Sequence, residues 1–254
     1  MQMPGSDRPK LAARVPAGNR VYAVGDIHGR ADLLERLLIR IEADCAHARP
    51  ERVAVVFLGD YVDRGPDSRR VVERLSHGAP QGGALADARW ICLRGNHEDE
   101  MLRFVDGAAN GTGRAWCLNG GLDTLRSYAG DVPERPLDDL DGLRLTLSRA
   151  LPPAHLRFLS RLPLTHREGD YVFAHAGIRP GVPLDAQLES DLLWIREGFL
   201  DDVRPADFVV VHGHTPTPTP DIRPHRIGID TGAYYSGHLT ALVLEGDTRC
   251  FLSS

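Results

Sequence analysis

Short apolar stretches alternate with amphipathic stretches in the first part of the chain. Residues 20–24 are mostly apolar and end at Gly25, which predicts a buried strand. Residues 31–43 follow with leucines at helical spacing and predict an amphipathic helix. The same alternation predicts a strand, a helix and a strand at residues 52–58, 68–76 and 88–93. Strands that alternate with single helices favour right-handed crossovers and a largely parallel sheet, so the expected fold class is α/β.

A less regular pattern, rich in Gly, Pro and Arg, covers residues 106–164. A helix is predicted just before it at residues 98–105, and two more are predicted within it at residues 140–150 and 154–162. We expect this segment to lie over the core and to shape substrate access. Strands return after it, separated by turns, and predict a second, mixed sheet. These strands are predicted at residues 171–174, 207–211, 226–229 and 239–244.

Length and composition indicate one large globular domain. The chain has 254 residues, of which 42% are hydrophobic and 26% are charged, enough to bury a substantial core. The first residues contain Pro4, Pro9 and Pro16 together with several charges. We therefore expect a flexible arm at residues 1–18 that leads into a single catalytic domain at residues 19–254.

Charge and cysteine content narrow the class of protein. The net charge is -5, and no cationic block marks a surface for nucleic acid or for a membrane. The 4 cysteines lack CxxC spacing, which argues against a disulfide framework and against a thiolate zinc site. No apolar run suits a signal peptide or a membrane span. We expect a cytoplasmic protein with reduced thiols.

Polar motifs follow the predicted strands. GDIHG occupies residues 25–29, GDYVDRG residues 59–65 and GNHE residues 95–98, each just after a strand. HAG and GHT follow at residues 175–177 and 213–215. The carboxyl ends of strands are the usual place for a site in an open α/β sheet. Asp, Asn and His side chains suit divalent ions such as Mn, Fe, Zn or Mg, so the motifs together predict a metal centre.

The motifs supply ligands for two ions. Asp26 and His28 are two positions apart and can meet one ion where flanking glycines let the chain turn. Asp60 follows the second strand, and its two carboxylate oxygens can bridge both ions. The shell of the second ion can be completed by Asn96, His175 and His214. Two ions about 3.5–4 Å apart clamp phosphate oxygens and produce a bridging hydroxide for direct, in-line attack.

Three further side chains complete the predicted machinery. Arg64 follows Asp63 in the loop after Asp60, where a guanidinium can grip phosphate with two hydrogen bonds. His97 adjoins Asn96 and is placed to protonate a leaving alkoxide. Asp63 can hydrogen-bond to His97, which fixes the tautomer of the ring and raises its pKa.

The five motifs resemble those of the phosphoprotein phosphatase family of calcineurin-like metallophosphoesterases, over about residues 20–244. The resemblance is greatest to the serine/threonine protein phosphatases of bacteria and bacteriophages. It implies an α/β fold in which two sheets form a β-sandwich flanked by helices, with residues 106–164 over the active site. It also implies two divalent metal ions, most often Mn, with Fe or Zn as alternatives.

The resemblance assigns roles outside the motifs as well. The segment LWIRE at residues 193–197 resembles the one that carries the family's second phosphate-binding arginine, which implies that Arg196 joins Arg64. The segment DTGAYYSG at residues 230–237 resembles the family's closing strand and loop. Its active-site tyrosine corresponds by spacing to Tyr235, with Tyr234 as the alternative. The implied catalytic residues are His97, Asp63, Arg64 and Arg196.

These observations predict a metal-dependent phosphomonoesterase, and first of all a serine/threonine protein phosphatase acting on phosphorylated proteins or peptides. Two alternatives share the same metal chemistry: a symmetrical dinucleoside tetraphosphate hydrolase, and a broad-specificity phosphoesterase that also accepts phosphotyrosine. For the dinucleotide interpretation, residues 106–164 must supply base-stacking groups, with Trp116 as a candidate. An inactive metal sensor has no support, because every expected position is filled. No regulatory subunit is implied, because the chain lacks the long extensions of eukaryotic catalytic subunits.

Overall fold

The structure is a computed structural model that describes residues 13–107, 110–133, 136–204 and 207–254. Its strands in chain order are β1 (Asn19–Val24), β2 (Arg52–Phe57), β3 (Arg89–Cys92), β4 (Thr165–Glu168), β5 (Tyr171–Ala174), β6 (Val209–His212), β7 (Asp221–Ile222), β8 (Arg226–Gly228), β9 (Thr240–Glu245) and β10 (Thr248–Ser253). Its α-helices are α1 (Ala31–Ala48), α2 (Ser68–Ser76), α3 (Asn96–Asp106), α4 (Asn110–Trp116), α5 (Leu122–Ala129), α6 (Leu140–Ala150), α7 (Pro153–Ser160), α8 (Glu189–Trp194) and α9 (Ala233–Ser236). A kink at Cys117–Gly121, where Asn119 and Gly120 have non-helical backbone angles, joins α4 to α5.

The strands form two five-stranded sheets. In the first sheet the order is β10-β9-β1-β2-β3, with β1, β2 and β3 parallel and β9 antiparallel to both of its neighbours. In the second sheet the order is β4-β5-β6-β8-β7, with β5, β6 and β8 parallel. The predicted α/β class, with two sheets flanked by helices, is confirmed. The strand predicted at residues 239–244 for the second sheet is wrong in its placement, because it forms β9 and pairs with β1 in the first sheet.

Side-chain alternation along β1 explains the layers of the fold. Tyr22 and Val24 pack with the buried face of α1 in a core between the first sheet and the helices. Val21 and Ala23 point to the opposite face and pack in a second core, which includes Phe173 of β5 and lies between the two sheets. One strand therefore serves two cores, and its carboxyl end is fixed from both sides.

Helix α1 is longer than its apolar pattern predicts. The predicted helix covers residues 31–43, whereas the observed helix runs to Ala48. The added turns bury Cys45, and the helix ends where Arg49 adopts a left-handed φ of 51°. The burial of Cys45 thus extends the helix beyond the helically spaced leucines on which the prediction was based.

The segment predicted as irregular is mostly helical in its described residues. Helix α4 and the kink between α4 and α5 contain several glycines, which individually disfavour a helix. Trp116 and Leu125 are fully buried in the core on the helical side of the first sheet. Tertiary packing therefore outweighs the weak local preference. The predicted helices at residues 140–150 and 154–162 correspond to α6 and α7.

The described part of the predicted amino-terminal arm packs against the domain. Val15 is 3% exposed and belongs to the core between the sheets. Its backbone N–H donates to the carbonyl of Gly246, and the carbonyl of Arg14 accepts from the N–H of Asp170. The remainder of the predicted arm, residues 1–12, lies outside the described residues.

Among the described helices, none combines the length and the hydropathy of a membrane-spanning segment.

Candidate metal centre

The polar motifs meet along one edge of the sandwich. Asp26 and Asp60 follow β1 and β2, and Asn96 begins α3 shortly after β3. In the second sheet, His175 follows β5 and His214 follows β6. Because the parallel strands bring their carboxyl ends to a common edge, residues far apart in the sequence become neighbours. All five side chains are buried, with an exposed fraction of 6% at most.

Asp60 lies at the centre of this site. Its Oδ1 is 3.3 Å from His175 Nε2, and its Oδ2 is 3.5 Å from His28 Nε2. It belongs to two groups of potential ligands, and within each group the ligand atoms lie within 4.8 Å of one another. The groups are His28, Asp60 and His97, and Asp60, His175 and His214. A carboxylate shared by two groups has the placement needed to bridge two ions.

Hydrogen bonds on the far side of two imidazole rings orient them toward the centre. Nδ1 of His28 lies 2.9 Å from the carbonyl oxygen of Val62, and Nδ1 of His175 lies 2.9 Å from that of Leu58. A carbonyl oxygen can only accept, so each Nδ1 is the protonated nitrogen. The Nε2 lone pair of each ring is therefore directed toward Asp60 and is available to a metal.

Asn96 and Asp26 complete the buried polar shell. Asn96 Oδ1 lies 2.8 Å from His175 Nε2 and 2.9 Å from His214 Nδ1. Asp26 Oδ2 accepts the backbone N–H of His214 at 3.0 Å, although among the described residues Asp26 joins neither ligand group. Among the proposed ligands, the buried atoms Asp26 Oδ1 and His214 Nε2 have no hydrogen-bond partner in the described residues. Unpaired buried polar atoms are unfavourable, and a bound ligand relieves them.

Burial and neighbouring charges set the protonation states at the centre. Burial, together with the nearby His97 and Arg64, lowers the pKa of His28 to about 3 against an opposing effect of Asp60. Burial and the neighbouring His175 lower the pKa of His214 to about 2. Burial alone would raise the pKa of Asp60, but the surrounding imidazoles hold it well below its usual value. Neutral imidazoles and an ionised carboxylate are the forms that bind metals.

Asp63 and His97 form the buried pair that the sequence predicts. His97 Nδ1 donates to Asp63 Oδ2 at 2.6 Å, and both side chains are at most 1% exposed. Burial alone would lower the pKa of His97, but the charge of Asp60 and the hydrogen bond to Asp63 raise it to about 9. His97 Nε2 faces the centre, 3.8 Å from Asp60 Oδ2. A protonated ring nitrogen therefore points at the place where a leaving group would depart.

Glu98, to which the sequence analysis gave no role, supports the backbone at residues 60–62, called here the Asp60 turn. Its Oε2 accepts the backbone N–H groups of Asp60 and Gly95 at 2.8 and 2.9 Å. Its Oε1 accepts those of Tyr61 and Val62 at 2.7 and 3.2 Å. The side chain is fully buried, so these four bonds replace the water that the carboxylate has lost. The sequence signal for this role is the last residue of the GNHE motif, because Glu98 lies in the first turn of α3 and its side chain bonds to the backbone N–H of Gly95, just before the helix.

Both predicted phosphate-binding arginines line a cavity of about 350 Å³ above the ligands. Arg64 Nη1 lies 2.9 Å from His28 Nε2, and its Nη2 donates to Asn119 Oδ1 at 3.2 Å. Arg196 Nη2 donates to the carbonyl oxygen of His214 at 3.4 Å. Each guanidinium thus lies near a different ligand group, so a phosphate placed between them meets both cations.

The tyrosine that lines the cavity is Tyr234, the alternative to the predicted Tyr235. Tyr234 lines the cavity, with its ring 5.6 Å from the His28 ring and 5.2 Å from the Arg64 guanidinium. Tyr235 is 62% exposed and packs against the edge of Tyr234 instead. Both residues lie in the short helix α9, where successive side chains point about 100° apart, so only one of them can face the site.

Comparison with known proteins shows the family. Residues 19–242 match the model of the calcineurin-like phosphoesterases. The chain belongs to this family. The match includes every motif that converges on the centre.

Named relatives of this calcineurin-like phosphoesterase include nucleotide hydrolases. It is 26% identical over 228 residues to the asymmetrical bis(5'-nucleosyl)-tetraphosphatase PrpE of Halalkalibacterium halodurans, covering 86% of this chain and 87% of the relative. A crystal structure assigned provisionally as a diadenosine tetraphosphatase has a TM-score of 0.63 and 24% identity, covering 97% of this chain and 96% of the other. The structure of a protein serine/threonine phosphatase from Saccharomyces cerevisiae has a TM-score of 0.54 and 14% identity, covering 93% of this chain and 79% of the other. These two structural likenesses show a shared fold.

The calcineurin-like phosphoesterase family implies divalent metals, and the residues of this centre fit them. The donors are carboxylate, amide and imidazole groups, and two of the buried donor atoms, on Asp26 and His214, have no protein partner. A first ion would be held by Asp26, His28 and Asp60. A second would be held by Asp60, Asn96, His175 and His214. His97 also belongs to one ligand group, since its Nδ1 bonds to Asp63 and its Nε2 faces the centre, and its role as proton donor stays a prediction.

Several contacts at the site lay outside the sequence prediction, which named Trp116 only as a candidate for base stacking, a role that its full burial excludes. Trp194 and Asn119 line the cavity, and Trp116 and Thr124 hydrogen-bond to Asp63. These contacts span 53 and 61 residues for Trp116 and Thr124, so no local pattern marks them. For Trp194, the only local signal was its place in the LWIRE segment beside Arg196.

Proposed function

We propose that this phosphoesterase hydrolyses dinucleoside tetraphosphates asymmetrically, releasing a nucleoside triphosphate and a nucleoside monophosphate. Relatives of that name match most of both chains at 25–26% identity. The observation in the structure that carries the proposal is a pair of partly exposed aromatic side chains, one at each end of the metal centre. The sequence interpretation had placed protein phosphatase activity first and symmetrical cleavage as the alternative.

Trp194 and Tyr234 are these two aromatic residues. Trp194 is 41% exposed, and its ring lies 5.9 Å from that of His214. Tyr234 is 38% exposed and lies 5.6 Å from His28. Because His28 and His214 belong to different ligand groups, the aromatic rings flank the phosphate position from opposite sides. Nucleobases stack on such rings with about 1–3 kcal/mol each, whereas a phosphothreonine side chain offers no ring to stack.

The roles of the residues follow from their geometry. Two divalent ions, for which we propose Mn with Fe or Zn as alternatives, supply Lewis acidity that polarises the phosphate and activates water. Arg64 and Arg196 hold the phosphate oxygens through charge-assisted hydrogen bonds. Water adds to phosphorus and gives up one proton to the solvent, while the bond from phosphorus to the bridging oxygen breaks. The Nε2 proton of His97 passes to the departing oxygen, and His97 regains a proton from the solvent. Asp63 keeps the other nitrogen of the ring engaged throughout.

A second candidate is a serine/threonine protein phosphatase, and the Asp63–His97 pair is the observation that favours it. A departing serine or threonine alkoxide needs a proton far more than a departing nucleotide does. The pKa of His97, raised to about 9 by Asp60 and Asp63 against the effect of burial, keeps that proton available at neutral pH.

The two functions are separated by one comparison of substrates. The Mn-loaded enzyme is given diadenosine tetraphosphate and a phosphothreonine peptide side by side, and kcat/KM is measured for each. We expect the dinucleotide to be preferred, with ATP and AMP as products on anion-exchange chromatography. Two molecules of ADP would show symmetrical cleavage instead, and a preference for the peptide by orders of magnitude would move the function to the second candidate.

Base stacking is tested by removing one ring. Trp194→Ala is expected to lower kcat/KM for the dinucleotide by about 5-fold to 150-fold, which corresponds to the loss of one stacking contact. The kcat/KM for the peptide should change much less. Leu188→Ala serves as the matched control, because Leu188 is 62% exposed beside the same helix but does not line the cavity. An equal loss on both substrates would count against a nucleobase at Trp194.

A further inference from the structure

The carboxylate of Asp63 is held by two side chains of residues 106–164, the segment that the sequence suggested for substrate access and, in the dinucleotide interpretation, for base stacking. Trp116 Nε1 donates to Asp63 Oδ2 at 2.9 Å, and Thr124 Oγ1 donates to Asp63 Oδ1 at 2.6 Å. The backbone N–H of Asp63 in turn donates to Thr124 Oγ1 at 2.8 Å and to Ser68 Oγ at 3.1 Å. Together with the bond from His97, three donors fix the orientation of the carboxylate.

The two donors are themselves rigidly placed. Trp116 is fully buried, and its ring packs 4.7 Å from that of Phe104 on α3. On its other side, a Cβ added to Gly121 would lie 2.5 Å from the indole, so only glycine permits this approach. Thr124 and Ser68 are also fully buried and lie 3.0 Å apart. Water therefore cannot substitute for either donor without disturbing the packing.

The backbone at Asp63 makes this support necessary. Asp63 and Arg64 both have left-handed φ values, 72° and 69°, which non-glycine residues adopt only where their surroundings hold them. Without Trp116 and Thr124, the carboxylate can rotate away from His97 Nδ1. The His97 ring would then lose the bond that keeps Nδ1 protonated and its other nitrogen directed at the substrate.

We infer that Trp116 and Thr124 are positioning residues for proton transfer, acting through Asp63 on His97. The inference rests on the proposed phosphoester hydrolysis with His97 as the proton donor. It predicts a specific defect: loss of either donor slows the reaction most when the leaving oxygen is basic and must take up a proton.

A neighbouring residue of the same segment provides a contrast. Asn119 Oδ1 accepts from Arg64 instead of holding the Asp63 carboxylate, and the carbonyl of Gly120 accepts the Arg64 N–H at 3.3 Å. Asn119→Ala is therefore expected to weaken phosphate binding by a similar factor for all leaving groups. Substitutions in this one segment are thus expected to give two different defects: weaker phosphate binding from Asn119, and slower proton transfer from Trp116 or Thr124. A general loosening of the fold would give both defects in every variant.

The experiment compares phenyl phosphate with p-nitrophenyl phosphate, whose leaving group barely needs a proton. The variants are Thr124→Val, which removes the hydroxyl at constant shape, Trp116→Phe, which keeps a buried ring, and Thr124→Ser, which restores the hydroxyl. His97→Asn provides the reference defect. Tyr128→Phe is the matched control, since Tyr128 is a buried residue of the same helix α5 that bonds to His155, away from the centre.

We expect His97→Asn to lower kcat for phenyl phosphate about 100-fold more than for p-nitrophenyl phosphate. Thr124→Val and Trp116→Phe should each show the same selectivity at about 10-fold, with Thr124→Ser close to wild type and Tyr128→Phe unchanged. In the double variant Thr124→Val with His97→Asn, the selectivity should not exceed that of His97→Asn alone.

A spectroscopic measurement checks the same point independently of activity. In the Zn-loaded protein labelled with ¹⁵N-histidine, the Nδ1–H resonance that disappears in His97→Asn should shift or broaden in Thr124→Val and Trp116→Phe. It should be retained in Thr124→Ser and Tyr128→Phe.

Three outcomes would overturn the inference, and they differ in what else they remove. If His97→Asn is selective but Thr124→Val and Trp116→Phe are not, or if the resonance is unchanged in both, only the positioning role fails. If Tyr128→Phe is equally selective, the effect is a general loosening of the helix. If His97→Asn itself lacks selectivity, its role as proton donor fails, while the phosphoesterase assignment and the substrate comparison remain intact.

Discussion

Individual residues of the centre adopt backbone conformations that most side chains avoid. Positive φ values between 45° and 72° occur at His28, Asp60, Asp63, Arg64 and His214. Such conformations persist only where the surroundings fix them, and they are common at functional sites. The loops also approach one another very closely: a Cβ on Gly65 would lie 2.0 Å from the carbonyl oxygen of His28. The unfavourable backbone conformations are therefore confined to these loops, and the hydrogen bonds described above for the site hold them in place.

Glu98 is the clearest of these supports, and Glu98→Gln tests it. The new amide would present N–H donors to backbone N–H groups that now bond to a carboxylate, so two of them would lose their acceptor. We expect the free energy of unfolding of the metal-free protein to fall by about 1–3 kcal/mol. Urea unfolding measures this, with Glu189→Gln on the exposed start of α8 as the control. Equal midpoints for the two variants would contradict the supporting role.

Asp60→Asn tests the bridging carboxylate. An amide offers one oxygen and no charge, so it cannot serve both ligand groups. After loading with Mn and removal of free ions, elemental analysis should find the metal content reduced to about half or less. Asp32→Asn, whose side chain is 56% exposed at the start of α1, should keep the content of the wild type. If both variants hold the same amount of metal, Asp60 does not bridge.

Among the helices, α3 contributes most to the site. Its first turn contains Asn96, His97 and Glu98, which provide a proposed ligand, the proposed proton donor and the support of the Asp60 turn. A helix amino-terminus also carries partial positive charge, which favours a phosphate nearby. Three functions in three consecutive residues require that this helix begin at a fixed place, which β3 and Gly95 determine.

Helix α1 packs on the first sheet through one buried face, and a pair of substitutions tests this packing. Leu37 is fully buried against the first sheet, whereas Ile39, on the opposite face, is 69% exposed. Leu37→Ala leaves a cavity and should lower the free energy of unfolding by about 2–5 kcal/mol. Ile39→Ala should change it by only about 0.5 kcal/mol. Thermal or guanidinium unfolding gives both values, and a similar loss at the two positions would contradict the packing described.

In the molecule as a whole, the metal centre joins the two sheets at one edge, and a polar cluster joins them at the other. Glu168 of β4 accepts from Asn19 of β1 at 2.7 Å and also binds Arg89 of β3. His166 Nε2 lies 3.3 Å from the same carboxylate. Since Asn19 begins β1 and Asp26 follows its end, the strand is anchored to the second sheet near both ends.

This cluster predicts a dependence of stability on pH. Burial alone would raise the pKa of Glu168, but the bonds from Arg89, His166 and Asn19 hold it below its usual value. The folded state therefore binds fewer protons at this group than the unfolded chain, whose pKa is about 4.3. The stabilisation is present above that pH and is lost as the pH falls through the lower folded pKa.

Glu168→Gln measures this effect. At pH 7 the variant should unfold about 1–3 kcal/mol more easily than the wild type, because the buried Asn19 and the more exposed Arg89 lose a charged acceptor. The difference should shrink as the pH falls below about 4. Urea unfolding of both proteins without metal gives the difference, which isolates Glu168 from the other groups that titrate. A difference that is constant or grows toward acid pH would contradict the prediction.

Much of the fold could be predicted because its signals are local. Period-two and helical spacing of apolar residues depend only on neighbours in the chain, so β1, β2, α2 and α6 were located well. The ligand motifs were recognisable for a similar reason, since each is a short segment just after a strand. Helix α4 and the glycine-containing kink before α5 gave no such signal, because burial of Trp116 and Leu125 decides the conformation of this stretch.

By itself, then, the sequence determined the α/β class, the strand-end motifs and the donor atoms for metal and phosphate. Only the tertiary structure decided that Tyr234 rather than Tyr235 faces the cavity, that Glu98 holds the Asp60 turn, and that Trp116 and Thr124 hold Asp63. The reason is physical: a motif fixes which atoms are available, but orientation and support come from groups 53 or 61 residues away that meet only when the sheets and helices pack.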